Sequence, residues 1–172
     1  GRIHVESKPG KGTKFTVEIP LELASEGDIC KKELPEQTFM TDKNIGKRIL
    51  LAEDNELNAE IAMELLKEEG FLIDWVKDGQ ECFDKLEEAD EGYYDLILMD
   101  IQMPILNGYD TTAKIRQMEN PKKAATQIVA MTANAFEEDI AMAQKVGMNG
   151  FIAKPLDAEK MFTILKQSIV EN

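Results

Sequence analysis

From Lys47 onward, short apolar runs alternate with stretches whose apolar residues recur at helical spacing. Polar residues or glycines bound the apolar runs, which therefore predict five short β-strands. Because a helical stretch follows each strand, the order predicts five βα units in an α/β fold, with a parallel sheet and helices on both of its faces. The predicted strands are Arg48–Ala52, Phe71–Val76, Asp95–Met99, Gln127–Met131 and Phe151–Ala153.

Capping residues and glycines bound several of the predicted helices. Leu57, Ile61, Leu65 and Leu66 repeat at helical spacing in the first helix and predict its buried face. We expect a first helix capped by Asn55 and ended by Gly70, then helices at Gln80–Ala89, after Gly108, at Phe136–Val146, and after Asp157.

The first 46 residues have a different pattern. Residues 2–6 and 14–19 alternate between apolar and polar side chains, and Lys8–Gly12 has the composition of a turn, so together they predict a β-hairpin. Two strands alone are marginally stable in water, and the hairpin is therefore expected to belong to a larger sheet. Residues 24–46 show mixed charge and no sustained period, which predicts a linker.

Charge and cysteine content exclude several classes of protein. Lys plus Arg number 20 and Asp plus Glu number 33, for a net charge of −13. This balance disfavours nucleic-acid binding and attachment to anionic lipid, so no nucleic-acid partner and no direct membrane contact are expected. Cys30 and Cys82 lie far apart and His4 is the only histidine, which argues against a zinc site and favours a reducing, cytoplasmic setting.

Polar side chains follow four of the five predicted strands. Glu53 and Asp54 follow the first strand, Asp100 the third, Thr132 the fourth and Lys154 the fifth. The carboxyl ends of parallel strands meet at one edge of the sheet, where the sites of such folds form. The sequence therefore predicts a cleft that holds three carboxylates, a hydroxyl and an ammonium group.

Such a cleft suits phosphoryl transfer. Two carboxylates 4 Å apart repel by about 4 kcal/mol at an effective dielectric constant of 20, and a divalent cation relieves that repulsion. Oxygen ligands without His or Cys favour Mg²⁺ over softer metals. With the ammonium of Lys154 and the hydroxyl of Thr132, the cation would match the three equatorial oxygens of a phosphoryl group. Asp100 stands centrally and is the candidate nucleophile. Each side chain alone also fits a cap, a turn or a surface position, and only their joint occurrence supports the prediction.

These motifs, in this order and spacing, resemble the receiver domain of response regulators over residues 48–171. The resemblance implies a flavodoxin-like (βα)5 fold with strand order 2-1-3-4-5, in a receiver domain over residues 47–172 that follows a partial β-hairpin and a linker. The motifs that carry it are Leu51–Asn55, Leu98–Pro104 with Asn107-Gly108, Ala130–Ala133 and Phe151–Pro155.

The resemblance also implies roles for the acidic residues. Asp100 would accept a phosphoryl group from a phosphohistidine. Mg²⁺, with Mn²⁺ as an alternative, would be held by Glu53, Asp54, Asp100 and the backbone carbonyl of Gln102. Gln102 and Asn134 flank the site and would tune the lifetime of the phosphate.

By the same resemblance, Lys154, Thr132 and the backbone N–H of Ala133 would bind the phosphoryl oxygens, and the Lys154-Pro155 peptide would be cis. Phosphorylation would draw Thr132 toward the phosphate and turn Phe151 inward, which would change the face formed by the fourth helix, the fifth strand and the fifth helix of the receiver. Phe151 stands where the family more often has Tyr, so no phenolic hydrogen bond would hold the inward state.

Residues 1–23 resemble the last hairpin of a histidine-kinase ATP-binding domain, through Gly1–Ser7 and Gly10–Val17. The combination implies the C-terminal part of a hybrid sensor histidine kinase, and leaves open whether that parent is anchored to a membrane. This stretch lacks the nucleotide-binding boxes and a phosphoacceptor histidine motif, so it should neither bind ATP nor phosphorylate itself from ATP. The implied partners are a histidine-phosphotransfer protein or domain and the phosphohistidine domain of the parent kinase.

Two other functions remain open from the sequence. The domain could be a protein-interaction module that is never phosphorylated, although that hypothesis predicts the loss of at least one site residue. A phosphatase of the haloacid-dehalogenase type also uses an Asp nucleophile, but it would need a second Asp where Gln102 stands.

Overall fold

The computed structural model describes residues 1–20, 44, 46–133 and 137–170. The chain divides into two compact units, residues 1–38 and 39–172, and each is described here by itself. Most of the predicted linker, including Cys30, lies outside the described residues, as does Asn134.

The first unit contains the predicted hairpin. Strands β1 (Arg2–Lys8) and β2 (Gly12–Glu18) pair antiparallel, with Ile3 opposite Val17 and Val5 opposite Phe15. These four apolar side chains therefore share one face of the hairpin, and each is 56–70% exposed. Within the described residues of this unit, no other element covers this face.

The second unit is a five-stranded parallel sheet with helices on both faces. Its strand order is β4-β3-β5-β6-β7, which confirms the predicted order 2-1-3-4-5. The strands are β3 (Arg48–Ala52), β4 (Leu72–Val76), β5 (Leu96–Asp100), β6 (Gln127–Thr132) and β7 (Gly150–Ala153), and the helices are α1 (Glu56–Glu68), α2 (Gly79–Glu88), α3 (Gly108–Arg116), α4 (Pro121–Ala124), α5 (Glu137–Val146) and α6 (Ala158–Val170).

Alternate side chains of the central strands enter two separate cores, which explains why these strands are apolar throughout. Leu50 of β3 and Ile97 of β5 face a core shared with α2, α3 and α5. Ile49 and Leu98 face the opposite core, which α1 and α6 cover. The central strand β5 is buried along its whole length, and Asp100 is its last residue.

The predicted buried face of α1 is partly wrong. Leu57 and Ile61 are 64% and 47% exposed, whereas Ala59, Ala62 and Leu66 pack against the sheet. The two faces have similar periodicity, and the sequence prediction chose the face with the larger side chains. The short helix α4 was not predicted, because four residues are too few for a periodic pattern.

Helix caps and a close backbone contact hold the loops near the carboxyl edge of the sheet. Asn55 and Asn107 cap α1 and α3 by accepting hydrogen bonds from Asn58 N and Asp110 N. Gly108 lies so close to β5 that a Cβ there would be 2.9 Å from the Ile101 Cα. Among the described helices, none is long and apolar enough to span a bilayer.

Candidate phosphoacceptor site

Three carboxylates converge at the carboxyl edge of the sheet. Glu53 follows β3 directly and Asp100 ends the neighbouring strand β5. One oxygen from each of Glu53, Asp54 and Asp100 lies within 4.8 Å of the others. Glu53 and Asp100 are buried, whereas Asp54 is exposed at the mouth of the site.

Lys154 joins the two buried carboxylates. Its Nζ lies 2.6 Å from Glu53 Oε2 and 2.7 Å from Asp100 Oδ2. Burial alone would lower the pKa of Lys154, but the hydrogen bonds and charges of Asp100 and Glu53 outweigh burial and raise this pKa above its usual value. Lys154 is therefore a permanent ammonium group between two acids.

The pKa of Asp100 is raised, chiefly because burial disfavours its charged form, and the negative charge of Glu53 adds to the effect. Lys154 and the backbone N–H of Gln102, which donates to Asp100 Oδ1 over 3.2 Å, oppose the rise. Lys154 also fixes the position of Asp100 Oδ2 through the 2.7 Å contact.

Glu53 makes three hydrogen bonds besides the one from Lys154, and the sequence analysis predicted none of the three. Asn58 Nδ2 donates to Glu53 Oε1 over 2.9 Å, and the indole Nε1 of Trp75 donates to the Glu53 backbone carbonyl over 2.8 Å. The Glu53 N–H donates to the carbonyl of Val76 on β4. Asn58 lies in the first turn of α1, the helix that follows Glu53, and this position was the available signal for the first contact.

The remaining predicted site residues lie around this centre. Thr132 is the buried last residue of β6, Ala133 follows it and is exposed, and Gln102 is exposed beside Asp100. Lys154 N donates to the Thr132 carbonyl over 2.7 Å, which joins the ends of β6 and β7 at the site. The Lys154-Pro155 peptide is cis. Phe151 lies on the edge strand β7 and is 36% exposed.

Exposed apolar side chains border the site. A cleft of about 220 Å³ is lined by Asn58, Ile61, Lys154, Pro155 and Leu156. Leu57 lies one helical turn from Ile61 on the same outer side of α1. The site is therefore a charged pocket with an apolar rim along α1.

The donor set fits a hard divalent cation. The three carboxylates supply oxygen ligands only, and no His or Cys belongs to the cluster. Carboxylate and carbonyl oxygens are the ligands that Mg²⁺ prefers, and it usually binds through one or two carboxylates and keeps several waters. The exposed position of Asp54 leaves space for such waters.

Comparison with known proteins agrees with this geometry. Residues 49–166 match the family described as the response regulator receiver domain. The chain belongs to this family. The whole chain is 33% identical, over 96% of its length, to the autoinducer 2 sensor kinase/phosphatase LuxQ of Vibrio cholerae, and it spans 19% of that protein. It is 35% identical over 73% of its length to hybrid signal transduction histidine kinase I of Dictyostelium discoideum, of which it spans 7%.

A solved structure shares both the fold and the acidic edge. The receiver domain of a sensor histidine kinase from Pseudomonas aeruginosa is 36% identical, with a TM-score of 0.65, and the match covers 73% of this chain and 98% of that one. That structure has a magnesium ion coordinated in its active-site cleft. The predicted receiver fold and the predicted kinship with hybrid histidine kinases are confirmed, and the chain is a receiver domain of two-component signalling.

Proposed function

We propose that this receiver is the phosphoacceptor of a phosphorelay. Asp100 takes a phosphoryl group from a phosphohistidine and passes it to a histidine-phosphotransfer partner. In the first transfer, the P–N bond of the phosphohistidine breaks and a P–O bond to an Asp100 carboxylate oxygen forms. The released imidazole nitrogen keeps the electron pair and takes up a proton from solvent. The observation that carries the proposal is the pair of short contacts from Lys154 to Asp100 and Glu53.

Three neighbours of Asp100 bind the transferring group. The ammonium of Lys154, already 2.7 Å from Asp100, interacts with one phosphoryl oxygen. The Thr132 hydroxyl and the backbone N–H of Ala133 donate to another, because Thr132 ends β6, the strand next to β5, and Ala133 follows it. Positioned donors and charges of this kind supply most of the catalysis in phosphoryl transfer.

Glu53, Asp54, Asp100 and the Gln102 backbone carbonyl are the residues that would hold Mg²⁺. When bound, the ion supplies positive charge that offsets both the carboxylates and the phosphoryl oxygens. Mn²⁺ takes similar oxygen ligands and is the alternative ion. Gln102, exposed beside Asp100, and Asn134 tune how fast water reaches the acyl phosphate.

Intact-mass spectrometry tests the acceptor chemistry. The chain is incubated with Mg²⁺ and acetyl phosphate, beside Asp100→Asn and the exposed control Asp90→Asn. We expect one Mg²⁺-dependent phosphoryl adduct in the wild type and the control, and none in Asp100→Asn. If neither acetyl phosphate nor a phosphorylated histidine protein gives an adduct on a folded chain, the result contradicts the proposal and favours the hypothesis of an unphosphorylated interaction module.

The partner surface proposed for the relay is the apolar rim of the site. Leu57 and Ile61 are exposed on α1, and Pro155 and Leu156 border the same cleft as Ile61. A partner that brings a histidine to Asp100 must cover this rim. Leu57→Asp should slow transfer to a histidine-phosphotransfer domain at least tenfold without changing the rate with acetyl phosphate. Leu72→Asp, on an exposed leucine at the opposite end of the sheet, is the matched control, and equal slowing in both variants would exclude this surface.

Thr132 and Phe151 are the proposed switch residues. Phe151 is partly exposed on the edge strand β7, and it lies opposite Ala130, two residues before Thr132 in β6. We expect the phosphorylated Asp100 to draw the Thr132 hydroxyl inward and to open space that the Phe151 ring enters. Fluorine NMR of fluorophenylalanine-labelled protein, with Phe151→Leu to assign the signal, should show one resonance that shifts on phosphorylation. An unmoved Phe151 resonance in fully phosphorylated protein would exclude the switch.

The N-terminal hairpin is proposed to be the end of a histidine-kinase ATP-binding domain, which makes the parent a hybrid sensor kinase. Its apolar face is exposed, and the match to LuxQ covers 96% of the chain, so it extends well beyond the receiver residues. Amide hydrogen exchange on the whole chain should show no protection for residues 2–18 and strong protection for β3, β5 and β6. Protection of the hairpin amides would mean that the hairpin is complete without further strands.

A further inference from the structure

We propose that Asn58 is a positioning residue for the phosphoacceptor site: it fixes the plane of the Glu53 carboxylate and thereby sets the affinity of the site for a divalent cation. This inference rests on the proposed function and goes beyond it, since it assigns a role in cation binding to a residue in the first turn of α1.

The contact is well defined chemically. Glu53 is 1% exposed, so each of its carboxylate oxygens needs a partner inside the protein. Lys154 serves Oε2 over 2.6 Å and Asn58 serves Oε1 over 2.9 Å. An ionised carboxylate only accepts hydrogen bonds, so the Asn58 amide must present its nitrogen to Glu53.

Asn58 is itself held in place by the start of the helix. Asn55 caps α1, and its side chain accepts the hydrogen bond from the Asn58 backbone N–H over 3.1 Å. In a capping box, the third helical residue is Glu or Gln and its side chain reaches back to the cap. Here the third residue is Asn58, and its side chain reaches past the cap to Glu53. The Asn58 side chain therefore supports the Glu53 carboxylate and does not cap the helix.

Loss of this hydrogen bond frees the carboxylate to turn about its last bond. Lys154 would still attract Oε2, but Oε1 would be buried without a partner or would rotate toward another donor. Partners of this kind around metal ligands are worth about 10- to 100-fold in metal affinity. The expected consequence is a site that keeps its charge but loses its preset geometry.

The test uses Asn58→Leu, which keeps the side-chain size and removes the donor, with Gln144→Leu on the exposed surface of α5 as the control. Mg²⁺ is titrated into the unphosphorylated whole chain while the fluorescence of Trp75 is followed. Trp75 is the only tryptophan, and its indole contacts the Glu53 carbonyl. We expect about tenfold weaker Mg²⁺ binding in Asn58→Leu and no change in the control.

A second measurement separates positioning from a structural role. The rate of adduct formation from acetyl phosphate should fall about tenfold at low Mg²⁺ and return close to the wild-type rate at saturating Mg²⁺. A residue that only supported the fold would lower the urea midpoint and leave Mg²⁺ affinity unchanged, and that result would overturn the inference. If the wild type binds no Mg²⁺ and takes no phosphoryl group, the proposed function fails and this inference fails with it. If the wild type does both and Asn58→Leu matches it, only the role of Asn58 is refuted.

Discussion

Replacement of Lys154 by methionine should lower the stability of the domain and raise its affinity for Mg²⁺. In the wild type, the Lys154 ammonium lies within 2.7 Å of both Glu53 and Asp100. It balances one of two buried negative charges and occupies the space between them. Methionine keeps most of the side-chain volume but removes that charge, so the two carboxylates face each other directly.

The magnitude follows from their separation. The ligand oxygens of Glu53 and Asp100 lie within 4.8 Å of each other, which corresponds to a repulsion of at least about 3.5 kcal/mol at an effective dielectric constant of 20. Removal of one partner from a buried ion pair costs about 3–5 kcal/mol for the same reason. We therefore expect Lys154→Met to lower the free energy of unfolding at pH 7 by about 3 kcal/mol.

The same repulsion should favour a divalent cation. Mg²⁺ no longer competes with an ammonium group, and its binding relieves the carboxylate pair. A tenfold gain in affinity needs only 1.4 kcal/mol, less than half of the repulsion, so at least a tenfold lower Kd is expected. Saturating Mg²⁺ should then restore part of the lost stability, because the ion binds the folded state.

Urea unfolding and Mg²⁺ titration, both followed by Trp75 fluorescence, check the two effects on the same samples. Lys122→Met is the control, since the Lys122–Glu91 ion pair is exposed and should contribute nothing measurable. A Lys154→Met variant with unchanged stability would show that Lys154 does not balance the buried charges. Unchanged or weaker Mg²⁺ binding would show that the cation and the ammonium do not compete for the same charges.

Three further substitutions probe the scaffold by urea unfolding. Arg116→Met should lower the free energy of unfolding by about 3 kcal/mol, because three backbone carbonyls would lose the hydrogen bonds that the guanidinium donates to them. A urea midpoint equal to that of Lys122→Met would refute this. Gly108→Ala should lower the free energy of unfolding by about 2 kcal/mol, because the added methyl group overpacks against β5, and it should also slow phosphorylation of Asp100. Wild-type stability and phosphorylation rate would mean that the loop adjusts to the methyl group without an energetic penalty. Burial raises the pKa of Glu69 more than nearby Lys166 lowers it. Protonated Glu69 therefore contributes its whole share of the folding stability at pH values below the ordinary pKa of Glu. That contribution is lost as the pH rises through the raised pKa. Glu69→Gln should therefore stabilise the protein by about 1 kcal/mol at pH 7 but not at pH 4, and an equal effect at both pH values would contradict this sign.

Much of the receiver could be predicted from sequence because its signals are local and repeated. The apolar runs of β3, β5 and β6 are buried on both faces, so composition alone identifies them, and the parallel order follows from the alternation with helices. The rule that strand ends share one edge predicted that Glu53, Asp100 and Lys154 lie together, and in the structure Lys154 donates hydrogen bonds to both carboxylates.

The second layer of contacts could not be predicted in the same way. The indole of Trp75 reaches the Glu53 carbonyl from β4, and this contact depends on the twist and register of two strands, which no residue pattern encodes. Ile105 is a similar case. It has a positive φ of 65° and is 82% exposed, although a β-branched residue is strained in that conformation. The loop around it is fixed by tertiary contacts such as the close approach of Gly108 to β5, and local propensity does not report those.

The exposure of Leu57 and Ile61 on α1, which the sequence pattern had predicted to be buried, bears on the proposed function. Burial of a leucine or isoleucine side chain contributes about 1.5–3 kcal/mol, so a helix selected only for stability would turn Leu57 and Ile61 toward the sheet. Instead, Ala59 and Ala62 face the sheet beside Leu66, while Leu57 and Ile61 face outward, and Ile61 borders the Lys154 cleft. The small residues allow α1 to lie close to the sheet, and this brings Asn58 within reach of Glu53. The exposed apolar rim and the hydrogen bond from Asn58 to Glu53 therefore both follow from the orientation of α1, which keeps Leu57 and Ile61 out of the core beside the proposed phosphoacceptor site.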